Sequence, residues 1–382
     1  MTLDAKLSTY MAYYLEKDFF EDVDMFNLVS KVMQGDLTLR WYDADTEHVR
    51  LFPKDRERGL TYEDCNVGSY GYDHMPELIR NNYSMAPRGS ELWGKLPDLG
   101  YTVNRKSEVW SDNVVALYEE AKTRRWAPAV DVAWDDLTKT PRPPGLEAAM
   151  AQLCTFLQEC AAVVMGVSSR WIYSINQEFL ELKSYLCAQI LDQARHIEVF
   201  RKRALLGGQG LKRASVTAEQ ALKEILGAET YIEASLGGNL MLGSFLLSVY
   251  RQIAAVAPSL AERKLFSLVT QDAARLVGYG SGHVRYYIAH LPQQEVKLHS
   301  YLDTAEHCLL GILGSEEYLE PLIILAGGGT TPAEVKTGSS RVVRFLSQTV
   351  AAYLERCERA GLQGRAQRSC LPQYLQRIIH SQ

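Results

Sequence analysis

The sequence predicts an all-α protein: a four-helix bundle with extra C-terminal helices and a loop-rich N-terminal extension. Three observations lead there. Four long runs with apolar residues at helical spacing occupy residues 146–172, 177–206, 217–256 and 260–291, and four such helices in series make a bundle. Glycine- and proline-bearing punctuation such as "LLGGQGLKRAS" and "VAPSL" separates them. No stretch of any length alternates with the period of two that marks a strand.

The elements follow in order. Residues 1–110 form the extension, mixing short amphipathic segments with turn-rich stretches such as "NVGSYGYDHMPE". The helical domain then runs over 111–382. "DNVVALYEEAKTRRW" reads as a short helix, and "APAVDVAWDDLTKTPRPPG" as an extended connector whose prolines stop helix formation. The four bundle helices follow. Further helices are expected over 296–325, 331–361 and 367–380, with "AGGGTTP" a helix break and Thr331-Pro332 a cap and first helical position.

Composition sets bounds on function. The 382 residues, 47% of them hydrophobic, suffice for a large core. A net charge of −5 gives no electrostatic reason to expect nucleic acid or an anionic membrane as partner. Basic clusters such as Arg201, Lys202 and Arg203 are short and read as solvated helix faces. The N-terminal residues lack a signal-type apolar segment, and no run of ~18 uninterrupted apolar residues occurs. A soluble, cytoplasmic protein is the expectation. The seven cysteines show no CxxC spacing and read as reduced thiols.

One stretch carries most of the chemistry. In "LDQARHIEVF" (191–200), helical spacing puts Leu182, Leu186, Gln189, Gln193, His196, Ile197 and Phe200 on one stripe facing the core. On the fourth run the stripe is Phe266, Val269, Ala273, Leu276, Val277, Gly280, Val284 and Tyr287. "QDAARLVGYG" (271–280) then echoes the first motif 80 residues later, Asp192 matching Asp272 and Arg195 matching Arg275.

A D-E-x-R-H motif used twice on alternate helices of a bundle resembles the ferritin-like di-iron oxygenases and oxidases, over roughly residues 110–360. That resemblance implies two metal ions held by two E-x-x-H pairs and two single Glu ligands. Carried onto this chain, the first motif reads Asp192, Gln193, Ala194, Arg195, His196, and the second Asp272, Ala273, Ala274, Arg275, Leu276. Near the expected single-Glu positions stand Ala161, Ala162 and Val163, and Gly238, Asn239 and Leu240; Glu159 and Glu233 are the nearest carboxylates. The resemblance therefore implies a divergent member that keeps the acid and arginine frame and lacks most metal ligands. Buried carboxylates are tolerable only beside a compensating cation, so Gln, Ala and Leu are what a chain without the metal should carry. No metal and no cofactor is expected.

Other features have plainer readings. His196 is either a core histidine bonded to Asp272 across the bundle or a proton carrier. Glu295, His299, Asp303 and His307 stand at i, i+4, i+8 and i+12, but ligands from one straight helix do not close around one ion, and the stripe reads as a solvated face. Cys154, Cys160 and Cys187 read as packing. "AGGGTT" lacks the strand and lysine of a phosphate loop.

Three functions fit. The first is a metal-free protein using the bundle centre as a pocket for a small apolar or aromatic molecule. It would be lined by Ala162, Gly238, Ala273 and Leu276, with Gln193 and His196 as polar anchors. If this is an enzyme, His196 is the acid or base, and Asp192 or Asp272 orients it. The second is a non-catalytic subunit pairing with a metal-bearing ferritin-like homologue, or a homo-oligomer. The third is a di-iron oxygenase whose ligands stand in another register.

Overall fold

The computed structural model describes residues 21–37, 39, 50–65, 105–139, 142–213 and 215–380. The chain divides into two compact units, Met1–Asp98 and Leu99–Gln382. The turn-rich segments at 66–104 singled out above lie outside the described residues. In the first unit, α1 (Val23–Met33) is capped by the Asp22 side chain, which accepts from the Met25 N–H. The Asp64 carboxylate there ties Thr61 to Lys54 by accepting both backbone N–H groups.

The second unit is all-helical among its described residues. Its bundle consists of α4 (Pro144–Ile172), α5 (Leu180–Leu206), α7 (Tyr231–Val256) and α8 (Leu260–His290). The helices α4 and α5 pack as one pair and α7 and α8 as another. A short helix, α2 (Val114–Thr123), lies on α5 and α8. The connector expected to be extended contains one short helix, α3 (Asp135–Lys139), because the prolines at 141, 143 and 144 come only after it.

Two runs expected to be single helices are each broken. The run at 217–256 divides into α6 (Val216–Leu226) and α7. Gly227 ends α6, and Thr230 opens α7 with a capping box: its side chain accepts from Glu233 N–H while the Glu233 carboxylate accepts from Thr230 N–H. The run at 296–325 divides at Gly314-Ser315 into α9 (Glu295–Leu313) and α10 (Glu316–Gly327). Then follow α11 (Pro332–Arg359), α12 (Arg365–Arg368) and α13 (Leu371–His380). The expected break at "AGGGTTP" is present: Gly328 is left-handed at φ 88°, and Thr331 caps α11 with Glu334 and Pro332 in place.

Within α7, residues Leu236–Leu242 are π-helical. The Gly243 N–H accordingly donates to Gly238 C=O, five residues back. One extra residue per turn there rotates everything that follows relative to a regular helix.

By length and composition Pro144–Ile172 and Tyr231–Val256 could cross a membrane, but most of each is buried against neighbouring helices. They are the core helices of this bundle. Arg203 corrects the reading of its cluster as solvated: it is 1% exposed, paired with both oxygens of Glu147 and, at 2.7 Å, with Glu262.

Candidate functional site

Two three-residue steps, Asp192 to Arg195 and Asp272 to Arg275, place each acid and base one turn apart on facing helices. The result is a reciprocal quartet. Arg195 bonds Asp192 on its own helix and Asp272 Oδ2 across the gap at 3.2 Å. Arg275 bonds its own Asp272 Oδ1 at 2.5 Å and Asp192 Oδ2 across the gap at 2.7 Å. All four side chains are buried. Two charges of each sign neutralise one another, which makes burial tolerable. The Trp126 indole donates to Asp272 Oδ2 at 2.9 Å and lies under the Arg195 guanidinium, whose carbon is 5.0 Å from the ring centre.

His196 joins this frame. Its Nε2 is 3.2 Å from Asp272 Oδ2. Burial pushes the Asp272 carboxyl up, but the hydrogen bond and charge of His196, with Arg275 and Arg195, outweigh it and bring the pKa down to about 2. Asp272 is therefore a carboxylate, able only to accept, so His196 carries its proton on Nε2. The other ring nitrogen, Nδ1, is buried without a hydrogen-bond partner among the described residues. One turn earlier, Gln193 Oε1 is also buried and unpartnered. The Tyr250 ring stands edge-on to His196, centres 6.0 Å apart, and Phe200 closes another side at 6.1 Å.

A second polar chain, which no sequence motif announced, crosses the bundle beside the π-helical segment. The Gln189 amide nitrogen donates to Ser168 Oγ at 2.6 Å and to Asn239 Oδ1 at 3.1 Å. Asn239 in turn donates to Ser235 Oγ at 3.0 Å. Ser235 donates to His283 Nδ1 at 3.0 Å, and His283 Nε2 donates to the Glu108 carbonyl at 2.9 Å. Burial holds the His283 pKa down at about 4, so this imidazole is neutral. Three further buried groups, Tyr231, Tyr279 and the Val109 carbonyl, continue the tie from α7 to α8 and the segment before α2.

The expected site residues are only partly brought together. Gln193, His196, Ala273 and Leu276 are all buried in the bundle. Leu276 leans on Gly243, where an added Cβ would meet its side chain at 3.2 Å. Gly238 does not join them: it faces Val167 and Ile225. The π-helical register puts Asn239 inward instead, against Gly280. Ala162 is half-buried, beside the fully buried Ala161. The stripe on α9 is solvated only in part, with His307 exposed. His299 is buried beside Glu295, and Asp303 is gripped by Arg365 and Arg368. Cys154 and Cys160 are buried, and burial raises both thiols, Cys154 to about 12. Cys187, read as packing, is exposed instead.

A metal pair does not fit this donor set. Gln193, Ala273 and Leu276 stand at three of the four E-x-x-H positions, and His196 is already committed to Asp272. The two carboxylates in other registers are elsewhere, Glu159 exposed and Glu233 capping α7. Among the described residues no three His, Cys, Asp or Glu side chains are grouped to hold an ion.

The helix order and the paired motif define a ferritin-like bundle. Two solved structures similar to it are variants of an R2-like ligand-binding oxidase with an aerobically reconstituted Mn/Fe cofactor. They show TM-scores of 0.51 at 16% and 17% identity, each comparison covering 66% of this chain and 95% of the other. At that identity the likeness is one of fold. No family model matches the sequence, and no curated protein does.

Proposed function

We propose that this is a ferritin-like protein that works without a di-metal centre and holds a small apolar or aromatic molecule inside the bundle, anchored by Gln193 and His196. One observation carries the reading. Gln193 Oε1 and His196 Nδ1, a turn apart on the core face of α5, are two buried polar atoms without hydrogen-bond partners among the described residues. Buried polar atoms are as a rule paired. A ligand supplying an N–H or O–H there, and apolar surface to Tyr250 and Phe200, satisfies both.

The same geometry gives His196 a chemical role. Asp272 fixes the tautomer and orientation, so Nδ1 is the nitrogen that takes a proton from a weakly acidic ligand group. The imidazolium so formed faces an ionised carboxylate at 3.2 Å. Asp192 acts through Arg275 and Arg195, which hold Asp272 in place. No redox cofactor enters this reading, and a cytoplasmic location goes with it.

Leu276 against Gly243 favours a second reading, because a side chain that fills the former site is what a non-catalytic subunit of a metal-bearing homologue would carry. Thermal melts with a panel of small aromatic and acyl compounds separate the two, since a ligand bound only to the native state raises the melting temperature. The proposal expects a shift for some compound that His196→Ala reduces by more than the ~1 kcal/mol of one hydrogen bond. No shift, with co-purification of a larger ferritin-like partner, supports the subunit reading.

A further inference from the structure

A groove of about 430 Å³ lies on the outside of the bundle where α7, α8 and α11 meet, and its walls are basic. Arg251 comes from α7, Arg285 from α8, and Arg356 and Arg359 from α11. Among the described residues no Asp or Glu lines it. Four guanidinium groups around one cleft are notable in a chain of net charge −5. Only Arg359 has an ion pair among the described residues, with Glu355 on its own helix. Arg356 is half-buried, and its Nη1 is buried with no hydrogen-bond partner among the described residues. Burial and the charge of Arg251 pull the Arg356 pKa below the usual guanidinium value, with Glu355 offsetting part. Leu247 and Val277 give the groove an apolar lining beside small residues, and Ser281 adds a hydroxyl.

We propose that this groove binds a phosphorylated small molecule, the phosphoryl oxygens taken by Arg356 and its neighbours and the less polar body lying on Leu247 and Val277. The volume is that of a small-molecule site. Guanidinium groups arriving from three helices suit a tetrahedral dianion, which accepts from several directions, better than a planar carboxylate, which one arginine satisfies in a plane.

The test uses the full chain at fixed ionic strength, titrated calorimetrically with inorganic pyrophosphate, with ADP and with citrate. Saturable one-site binding of pyrophosphate or ADP, weaker for citrate, is expected. Arg356→Gln and Arg251→Gln should each weaken it roughly ten- to hundredfold, the scale of one charged hydrogen bond. Lys297→Gln, on the exposed face of α9, should leave it unchanged. Without ligand, Arg356→Gln should melt no lower than wild type, which shows that it folds and that the arginine serves binding. Absence of saturable binding overturns the proposal. So does binding that Lys297→Gln weakens equally, or that ranks the three anions by charge alone.

Discussion

Arg275 Nη2 on α8 lies 2.7 Å from Asp192 Oδ2 on α5, and the same nitrogen holds Asp272 Oδ1 on its own helix at 2.5 Å. One guanidinium group thus fixes how two bundle helices face each other. Removing it with Arg275→Met leaves two buried carboxylates sharing one cation. The expected cost is about 3–5 kcal/mol, read as a lower urea midpoint at unchanged slope. Adding Asp192→Asn to that variant should recover part of the loss. No recovery would mean the quartet is not energetically coupled.

His283 makes stability depend on pH in a defined window. Its folded pKa is about 4 against an ordinary 6.5, so the unfolded chain binds the proton first. The contribution is complete above pH 6.5 and falls away as pH drops toward 4. The shift corresponds to a loss of about 3 kcal/mol. Urea unfolding from pH 7 to 4 should show that loss in wild type and a flatter profile in His283→Gln.

Two glycines two positions apart on α8 should respond oppositely to alanine. A Cβ at Gly280 would come within 2.8 Å of Asn239 Cβ and of Leu240 N, a backbone atom that cannot yield. The overpacking cost of about 1–3 kcal/mol should outweigh the ~1 kcal/mol gain in helix propensity. At Gly278 the nearest contact is an ordinary 3.6 Å to Leu117, so the propensity gain should stand. Melting temperatures of the two variants decide it.

The purified protein should carry well under one iron or manganese per chain by elemental analysis. Fe(II) and oxygen should produce no di-iron charge-transfer band. Near two irons per chain would mean that ligands outside Gln193, Ala273 and Leu276 build a centre.

Ala273→Leu asks whether the bundle interior is used. Under the ligand-binding reading it should abolish the compound-induced rise in melting temperature and leave the fold intact. If the interior has only been filled in, the added methylenes should be neutral or stabilising, at ~25 cal/mol per square ångström buried.

Sequence reasoning reached the bundle because it rests on periodicity, and it reached the members of the quartet because both halves are local. Asp192 with Arg195, and Asp272 with Arg275, each repeat within one turn, and the echo marks them as two copies of one motif; the pairing of Arg195 with Asp272 and of Arg275 with Asp192 is visible only in the structure. His196 to Asp272 follows from the same alignment. The chain from Gln189 through Asn239 and Ser235 to His283 was not legible, because its links from α5 to α7 and from α7 to α8 join residues about 50 positions apart, and only Asn239 to Ser235 lies within one helix. The break before α7 was legible and was passed over: Gly227, then Thr230 with Glu233 three residues on, is a helix stop followed by a capping box. The arginine groove had no local signature, since Arg251, Arg285 and Arg356 sit on ordinary exposed or half-buried positions far apart in the chain.

The π-helical turn at Leu236–Leu242 makes α7 two regular helices joined one residue out of phase. Its effect is on insertions and deletions rather than substitutions. Losing a single codon between Leu236 and Leu242 would restore an unbroken α-helical count and remove the π-turn, with the two halves of α7 keeping the faces they now present. Asn239, within the turn itself, would then leave its place between Gln189 and Ser235, while every residue's chemical identity stayed the same. In this stretch, chain length itself determines which side chain reaches the interior, and alignments that place a gap there by composition alone will misassign the inward face.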